Sequence, residues 1–189
     1  IEQRPVGKQF NNSYDIVIVG SGLVGASLCL AFAGTAKAYG LSIALLDAAP
    51  IAATTPSAAG ALDGRATALA LGSRNLLHSI GLWQHLAPHA QAISNIQVSD
   101  QGQPWKSEMQ AGDMQTEALG YVLQNQTMGQ VFLQQITQRC SEFVHLIDQA
   151  QVTAIDNARQ NSQLEYQRLG QAQSLTAQLI VMADGGRSD

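Results

Sequence analysis

Three glycines in one short run, Gly20, Gly22 and Gly25, form a G-x-G-x-x-G pattern with Ser21, Leu23 and Val24 between them. Asp47 follows by about twenty positions, the distance at which a dinucleotide-binding βαβ unit places the acid that hydrogen-bonds a ribose. The chemistry of this set is recognition of a pyrophosphate. Gly20 permits a tight turn out of a strand, Gly22 removes the Cβ that would hold a phosphate away from the backbone, and Gly25 lets a helix approach the strand. The free N–H groups and positive dipole end of that helix then face the anion. Glycine spacing alone does not separate one dinucleotide from another, so the discriminating residues must lie further along. Arg65, inside Asp63-Gly64-Arg65-Ala66, offers a cation, and Asp184-Gly185-Gly186-Arg187 offers a second glycine turn after a strand.

The elements needed to position these residues can be read from pattern. Asp15 to Val19 is an almost unbroken β-branched run, the mark of a buried parallel strand. An apolar helix follows from Leu23 to Tyr39 and stops at Gly40, a favoured residue just past a helix end. Leu41 to Leu46 is a second strand, closed by Asp47. Residues 48–64 are rich in Ala, Thr, Pro and Gly without periodicity, a long connection of the functional or mobile kind. Thr67 to Ile80 carries apolar residues at a roughly helical spacing, ended by Gly81, and Leu82 to Leu86 adds a short helical turn. Ile93 to Asp100 and Trp105 to Met109 read as strands around the turn Gln101 to Pro104, with Leu119 to Leu123 as a third. These predict a separate antiparallel sheet inserted into the nucleotide domain as a substrate-covering layer. Thr127 to Cys140 reads as a helix and Phe143 to Ile147 as a core strand. Gln151 to Asn157, Ser162 to Leu169 and Gln171 to Thr176 read as a three-stranded meander, and Leu179 to Ala183 as the last buried strand.

Composition narrows the function classes. The chain has 189 residues, a formal net charge of −4, no basic run and 5% aromatic residues, which argues against a nucleic-acid partner. Cys29 and Cys140 lie far apart, with no C-x-x-C and no histidine at ligand spacing, so neither a metal site nor a disulfide framework is expected. Cys29 falls in the apolar first helix and reads as a small buried thiol, compatible with a reducing cytoplasm. Ile16 to Ala33 is uncharged and long enough to mimic a membrane span, but its glycines and β-branched start predict strand, turn and helix. Asp15 and Asn11-Asn12-Ser13 occupy the place of a basic signal-peptide flank. Ile1 to Ser13 reads as a mobile leader, and the ends at Ile1 and Asp189 as those of a fragment. His78, His85, His89 and His145 have no partner spacing and read as surface or helix-face residues, and Asp113 and Glu117 as solvated.

Four features stand in order: the loop at 20–25, Asp63-Gly-Arg-Ala-Thr-Ala-Leu69, a helix opening near Gln126, and Ala183-Asp-Gly-Gly-Arg-Ser188. Together the chain resembles the single-component FAD-dependent aromatic hydroxylases, the p-hydroxybenzoate hydroxylase fold, and within them the ubiquinone-biosynthesis branch. The resemblance runs from about Asp15 to Asp189 and corresponds to an N-terminal half. It implies an α/β fold: a Rossmann-like FAD-binding domain with a parallel sheet, a β-meander crossover and part of an inserted antiparallel substrate sheet. The implied division is a leader at 1–13, the first part of the FAD-binding domain at 14–92, part of the substrate sheet at 93–124, and the second part of the FAD-binding domain at 125–189.

The resemblance also implies roles. Gly20, Ser21, Gly22, Leu23, Val24 and Gly25 would hold the FAD pyrophosphate and Asp47 would accept both hydrogen bonds of the adenosine ribose. Arg65 would lie against the flavin-side phosphate and ribityl chain, with Gln126 a further FAD contact for which Gln124 or Asn125 could substitute. Val152 would meet the adenine through backbone groups. Asp184 and Gly185 would contact FAD and are linked to pyridine-nucleotide use. Asp47 stands where Glu is commoner, a change that keeps the chemistry. The implied activity is hydroxylation of a polyprenylated phenol with NAD(P)H as co-substrate and O₂, through a C4a-hydroperoxyflavin, by a cytoplasmic protein in peripheral contact with the membrane or with a ubiquinone-biosynthesis complex. Competing readings are another FAD oxidoreductase of the same fold, such as a prenyl reductase, and a non-catalytic dinucleotide-fold module. A plain NAD-dependent dehydrogenase fits less well, because of the meander and the terminal Asp-Gly turn.

Overall fold

The computed structural model describes residues 12–51, 64–99, 106–157 and 161–186. In chain order the elements are β1 (Ser13–Val19), α1 (Leu23–Tyr39), β2 (Ile43–Leu46), β3 (Ala66–Ala70), α2 (Leu71–Ser79), α3 (Trp83–Leu86) and a 3₁₀ turn at Ala87–His89. They continue with β4 (Gln91–Ile93), β5 (Asn95–Ser99), β6 (Lys106–Gln110), β7 (Gly120–Gln124), α4 (Asn125–Arg139), β8 (Val144–Ile147), β9 (Ala150–Asp156), β10 (Ser162–Arg168) and β11 (Gln171–Met182). The chain divides into two compact units, one of Ile1–Leu62 with Gly129–Asp189, the other of Asp63–Met128.

The first unit is built on a six-stranded sheet of order β8-β2-β1-β11-β10-β9. β1 lies between β2 and β11, parallel to both, which is why its residues from Tyr14 to Val19 are buried and its sequence is apolar without alternation. Alternate residues of β1 point to opposite faces. On one face α1 presses its start against Ile18, a Gly25 Cβ position lying 3.3 Å from the Ile18 Cγ2. On the other face Val17, Val19, Ala44, Leu46 and Ile147 pack with Ala150, Leu164, Tyr166, Leu175 and Ala177 of the meander. The meander therefore covers one face of the parallel strands. α1 ends where Gly40 takes the left-handed conformation (φ 64°) and its N–H bonds the Ala36 carbonyl.

β11 departs from the sequence expectation. The stretches 171–176 and 179–183 are one continuous strand, not two. Its first half pairs antiparallel with β10 and its second half parallel with β1, and Thr176 and Ala177 belong to both ladders. The pattern changes midway because the partner changes. The polar Gln178 that looks like a break is held in the strand, its side-chain amide donating to Asp15 Oδ1 at 3.3 Å.

In the second unit β3, β7 and β4 form an antiparallel sheet and β5 and β6 a two-stranded ribbon. Here Thr67 to Ile80 is not one helix. Ala66–Ala70 is a strand paired with β7 along its whole length, and the helix begins only at Leu71. The Ala and Leu of Ala-Thr-Ala-Leu-Ala favour a helix locally, and the long-range ladder overrides them. The strand expected over Ile93 to Asp100 changes sheets at Ser94: β4 pairs with β7 and β5 with β6. Leu77, Leu82, Trp83, Leu86 and Leu123 are buried, Trp83 meets Tyr121 edge-on at 4.7 Å, and the Arg74 guanidinium lies 5.3 Å from the Trp83 ring centre. The leader up to Asn11, the connection 52–63 including Asp63, the turn at Gln101 to Pro104 with Trp105, and Arg187 lie outside the described residues.

Candidate functional site: the glycine loop at the end of the parallel strands

At the C-terminal end of β1 the chain turns at Gly20 (φ 102°), whose N–H donates to the Leu46 carbonyl at 2.7 Å. A Cβ at Gly20 would stand 2.5 Å from the Ala183 carbonyl oxygen and 2.9 Å from Asp184 Cα. The loop thus packs directly on the end of β11, an approach held by the Ala183 N–H on Val19 O at 2.7 Å. A Cβ at Gly25 would lie 1.9 Å from the Gly20 oxygen, so the first turn of α1 sits on the turn itself. At Gly22 a Cβ would meet nothing within 4 Å. Gly22 is also the N-cap of α1, with no side-chain cap and no acidic residue in the first turn. The first intrahelical bond runs from Ala26 N–H to Gly22 O, so the N–H groups of Leu23, Val24 and Gly25 have no intrahelical acceptor. An exposed, uncapped helix start beside open space is an anion seat.

Asp47 ends β2 beside this loop. Its Oδ2 accepts the Ser21 N–H at 2.7 Å and the Ser21 hydroxyl at 2.6 Å, and its Oδ1 accepts the Ala49 N–H at 2.9 Å. Its own carbonyl takes the Ala150 N–H at 2.8 Å, which sets the start of β9 next to it. Val152 follows on the same strand, two residues past Ala150. Its side chain packs on the core cluster, and β9 is an edge strand. On the other side of the loop Asp184 Oδ1 accepts the Gly186 N–H at 3.1 Å. Gly185 and Gly186 both have positive φ (73° and 79°), which explains the paired glycines.

In the second unit Arg65 and Gln126 are brought together through their backbone neighbours. Asn125 N–H donates to the Arg65 carbonyl at 2.9 Å, and the Thr67 hydroxyl donates to Asn125 Oδ1 at 2.6 Å. α4 opens at Asn125, which puts Gln126 in its first turn.

Sequence reasoning missed one coupled pair. His145 is neither on a helix nor at the surface: it is in β8, half-buried, with Nδ1 2.6 Å from the Tyr14 hydroxyl. Burial, and then Tyr166, push the Tyr14 phenol up to about 12, while burial and then Arg168 push the His145 imidazole down. The only local signal was a tyrosine opening a buried strand. Cys29 and Cys140 are buried and free, and burial drives the Cys29 thiol up to about 12, which makes it an inert core residue. Among the described residues no group of three metal-ligating side chains occurs, and no helix is long and apolar enough to cross a membrane.

Comparison with known proteins bears on the loop. A family model described as an FAD binding domain matches residues 13–189. The chain belongs to that FAD-binding family. Ubiquinone hydroxylase UbiL of Rhodospirillum rubrum is 32% identical over 184 residues, which covers 97% of this chain and 40% of that protein. Mitochondrial ubiquinone biosynthesis monooxygenase COQ6 of Dictyostelium discoideum is 26% identical over 191 residues, covering 94% and 38%. The chain thus spans about two-fifths of the length of these curated relatives. Two solved structures share the fold. p-Nitrophenol 4-monooxygenase PnpA from Pseudomonas putida has a TM-score of 0.69 at 18% identity, over 93% of this chain and 41% of that one. The flavin-dependent monooxygenase PieE, in complex with FAD and substrate, has a TM-score of 0.70 at 17% identity, over 93% and 31%. The local geometry of this FAD-binding domain fits the cofactor: the open Gly22 backbone and uncapped helix start suit a pyrophosphate, and an acceptor stands at the neighbouring strand end.

Proposed function

We propose that this chain is the nucleotide-binding part of a flavin-dependent monooxygenase that hydroxylates a polyprenylated phenol in ubiquinone biosynthesis, with NAD(P)H as reductant. One observation carries the cofactor half of this reading: the glycine loop is pinned between the ends of β2 and β11, yet open at Gly22. The substrate half is supported by relatives named as ubiquinone hydroxylase and ubiquinone biosynthesis monooxygenase, and by the resemblance of Asp63 to Trp83 to the 2-octaprenyl-6-methoxyphenol hydroxylases.

When bound, FAD supplies the redox chemistry that activates O₂, and the protein's part is to hold and orient it. Gly20, Ser21, Gly22, Leu23, Val24 and Gly25 seat the pyrophosphate, Asp47 serves the adenosine ribose, and Val152 borders the adenine. Asp184 and Gly185 close the loop from the β11 side. Arg65 supplies positive charge toward the flavin-side phosphate and ribityl chain, with Gln126 beside it. A polyprenyl phenol partitions into a bilayer, so we place the protein in peripheral contact with the membrane surface.

The test is product analysis of the full-length protein with ¹⁸O₂, a reduced nicotinamide and candidate polyprenyl phenols. The expected product is a phenol carrying one ¹⁸O atom, formed only when FAD is bound. O₂-independent reduction of a prenyl double bond would replace this reading with that of a reductase of the same fold.

A further inference from the structure

The two ribose hydroxyls expected at Asp47 need two acceptors, and the carboxylate does not have two to give. An ionised carboxylate offers about four lone-pair positions. Oδ2 is filled by the Ser21 N–H and the Ser21 hydroxyl, and Oδ1 already takes the Ala49 N–H. One position remains, on Oδ1. The Ser21 hydroxyl has spent its proton on Asp47 at 2.6 Å and keeps its own lone pairs, and no described group donates to them. Ser21 and Asp47 are both partly exposed and are bonded to one another at the glycine loop.

We infer that Ser21 and Asp47 read the adenosine ribose together, one hydroxyl donating to Asp47 Oδ1 and the other to Ser21 Oγ. The inference rests on the FAD reading above. Displacing the Ser21 hydroxyl from Oδ2 would only exchange one bond to the charged acceptor for another and leave the Ser21 proton without its acceptor. The shared arrangement keeps every existing bond and adds two. It also gives the second position of the G-x-G-x-x-G run a task beyond the turn: a hydroxyl there both aims the acid and accepts from the ligand.

The experiment uses the full-length protein freed of flavin, titrated by flavin fluorescence with FAD and with its 2′-deoxyadenosine and 3′-deoxyadenosine analogues. Ser21→Ala is expected to weaken FAD about fivefold to tenfold, the worth of one hydrogen bond. In the parent protein both deoxy analogues bind more weakly than FAD. In Ser21→Ala the penalty of one analogue should fall below its parent value, because its hydroxyl has lost Ser21 Oγ and meets only the position vacated on Asp47 Oδ2, 2.6 Å from where Oγ stood, while the other keeps its full penalty. The inference is overturned if Ser21→Ala binds FAD like the parent, or if both deoxy penalties persist unchanged, which would leave Ser21 a purely structural aid to Asp47. A parent protein that binds no FAD would remove the FAD reading itself, a result distinct from either of those.

Discussion

Gly20, Gly22 and Gly25 are required for three different reasons, and substitution separates them. At Gly25 an added methyl would overlap the Gly20 carbonyl at 1.9 Å, backbone against backbone, with no flexible side chain to yield. Gly25→Ala should therefore cost about 1–3 kcal/mol of stability, as overpacking does, seen as a lower denaturant midpoint. At Gly22 the backbone is extended (φ −62°, ψ −175°) and the space beside it is empty, so alanine is tolerated by the fold. Gly22→Ala should unfold within about 1 kcal/mol of the parent, the ordinary cost of alanine at an N-cap. Its FAD affinity should nonetheless fall at least about tenfold, because the methyl occupies the approach of the phosphate. Normal FAD binding by Gly22→Ala would mean that the ligand does not approach that backbone. Asp47 and Arg65 belong to the same scale. Asp47→Ala and Arg65→Ala in the full-length protein should each lower FAD retention through purification, measured as the flavin-to-protein absorbance ratio. If both retain flavin normally, the residue assignment is wrong.

At the scale of elements, what could be read from the sequence was what is local. β1, the loop and α1 follow from a β-branched run, three glycines and a helix stop, all within a few residues of one another. β11 could not be read as one strand, because its two halves answer to β10 and β1, elements far apart in the chain. β3 looked helical because Ala and Leu are good helix formers, and the choice was made against that preference by pairing with β7 some fifty residues away. The site shows the same divide. Asp47 was legible from its distance to the loop, whereas the Ser21 hydroxyl bond depends on side-chain geometry that spacing does not contain. The meander is the element whose packing can be tested most directly. Leu164 in β10 is fully buried between the meander and the parallel strands, in contact with no solvent. Leu164→Ala should cost about 2–5 kcal/mol in urea unfolding, with an unchanged slope. A loss under about 1 kcal/mol would show that the meander does not seal that face.

The molecule as a whole carries the consequences of pairing Tyr14 with His145 at a half-buried position. A neutral imidazole protonated on Nε2 accepts at Nδ1 from the Tyr14 hydroxyl, 2.6 Å away. A protonated imidazole would have to donate to the Tyr14 oxygen instead and would carry its charge at a half-buried position, where Arg168, itself bonded to Asp148 at 2.7 Å, adds a repulsive charge. Burial is the larger cause, and both effects lower the His145 pKa. The unfolded chain binds a proton on this histidine near the ordinary value of 6.5, and the folded chain only at lower pH. Stability from this group is therefore complete above pH 6.5 and declines as the pH falls below it. Tyr14 acts at the other end. Its pKa, raised from 10.0 to about 12, keeps the folded phenol neutral after the unfolded one has ionised. Its contribution is complete below pH 10 and is lost as the pH rises toward 12. His145→Phe should lower the melting temperature at pH values above the histidine range, where it removes a hydrogen bond, and the gap to the parent should narrow as the pH drops from about 7 to about 5, where the parent alone resists taking up a proton. Tyr14→Phe, which keeps the ring packing, should leave the histidine window in place and flatten the alkaline limb. A parent–variant gap for His145→Phe that stays constant across the acid range would show that the imidazole titrates alike in the folded and unfolded chains.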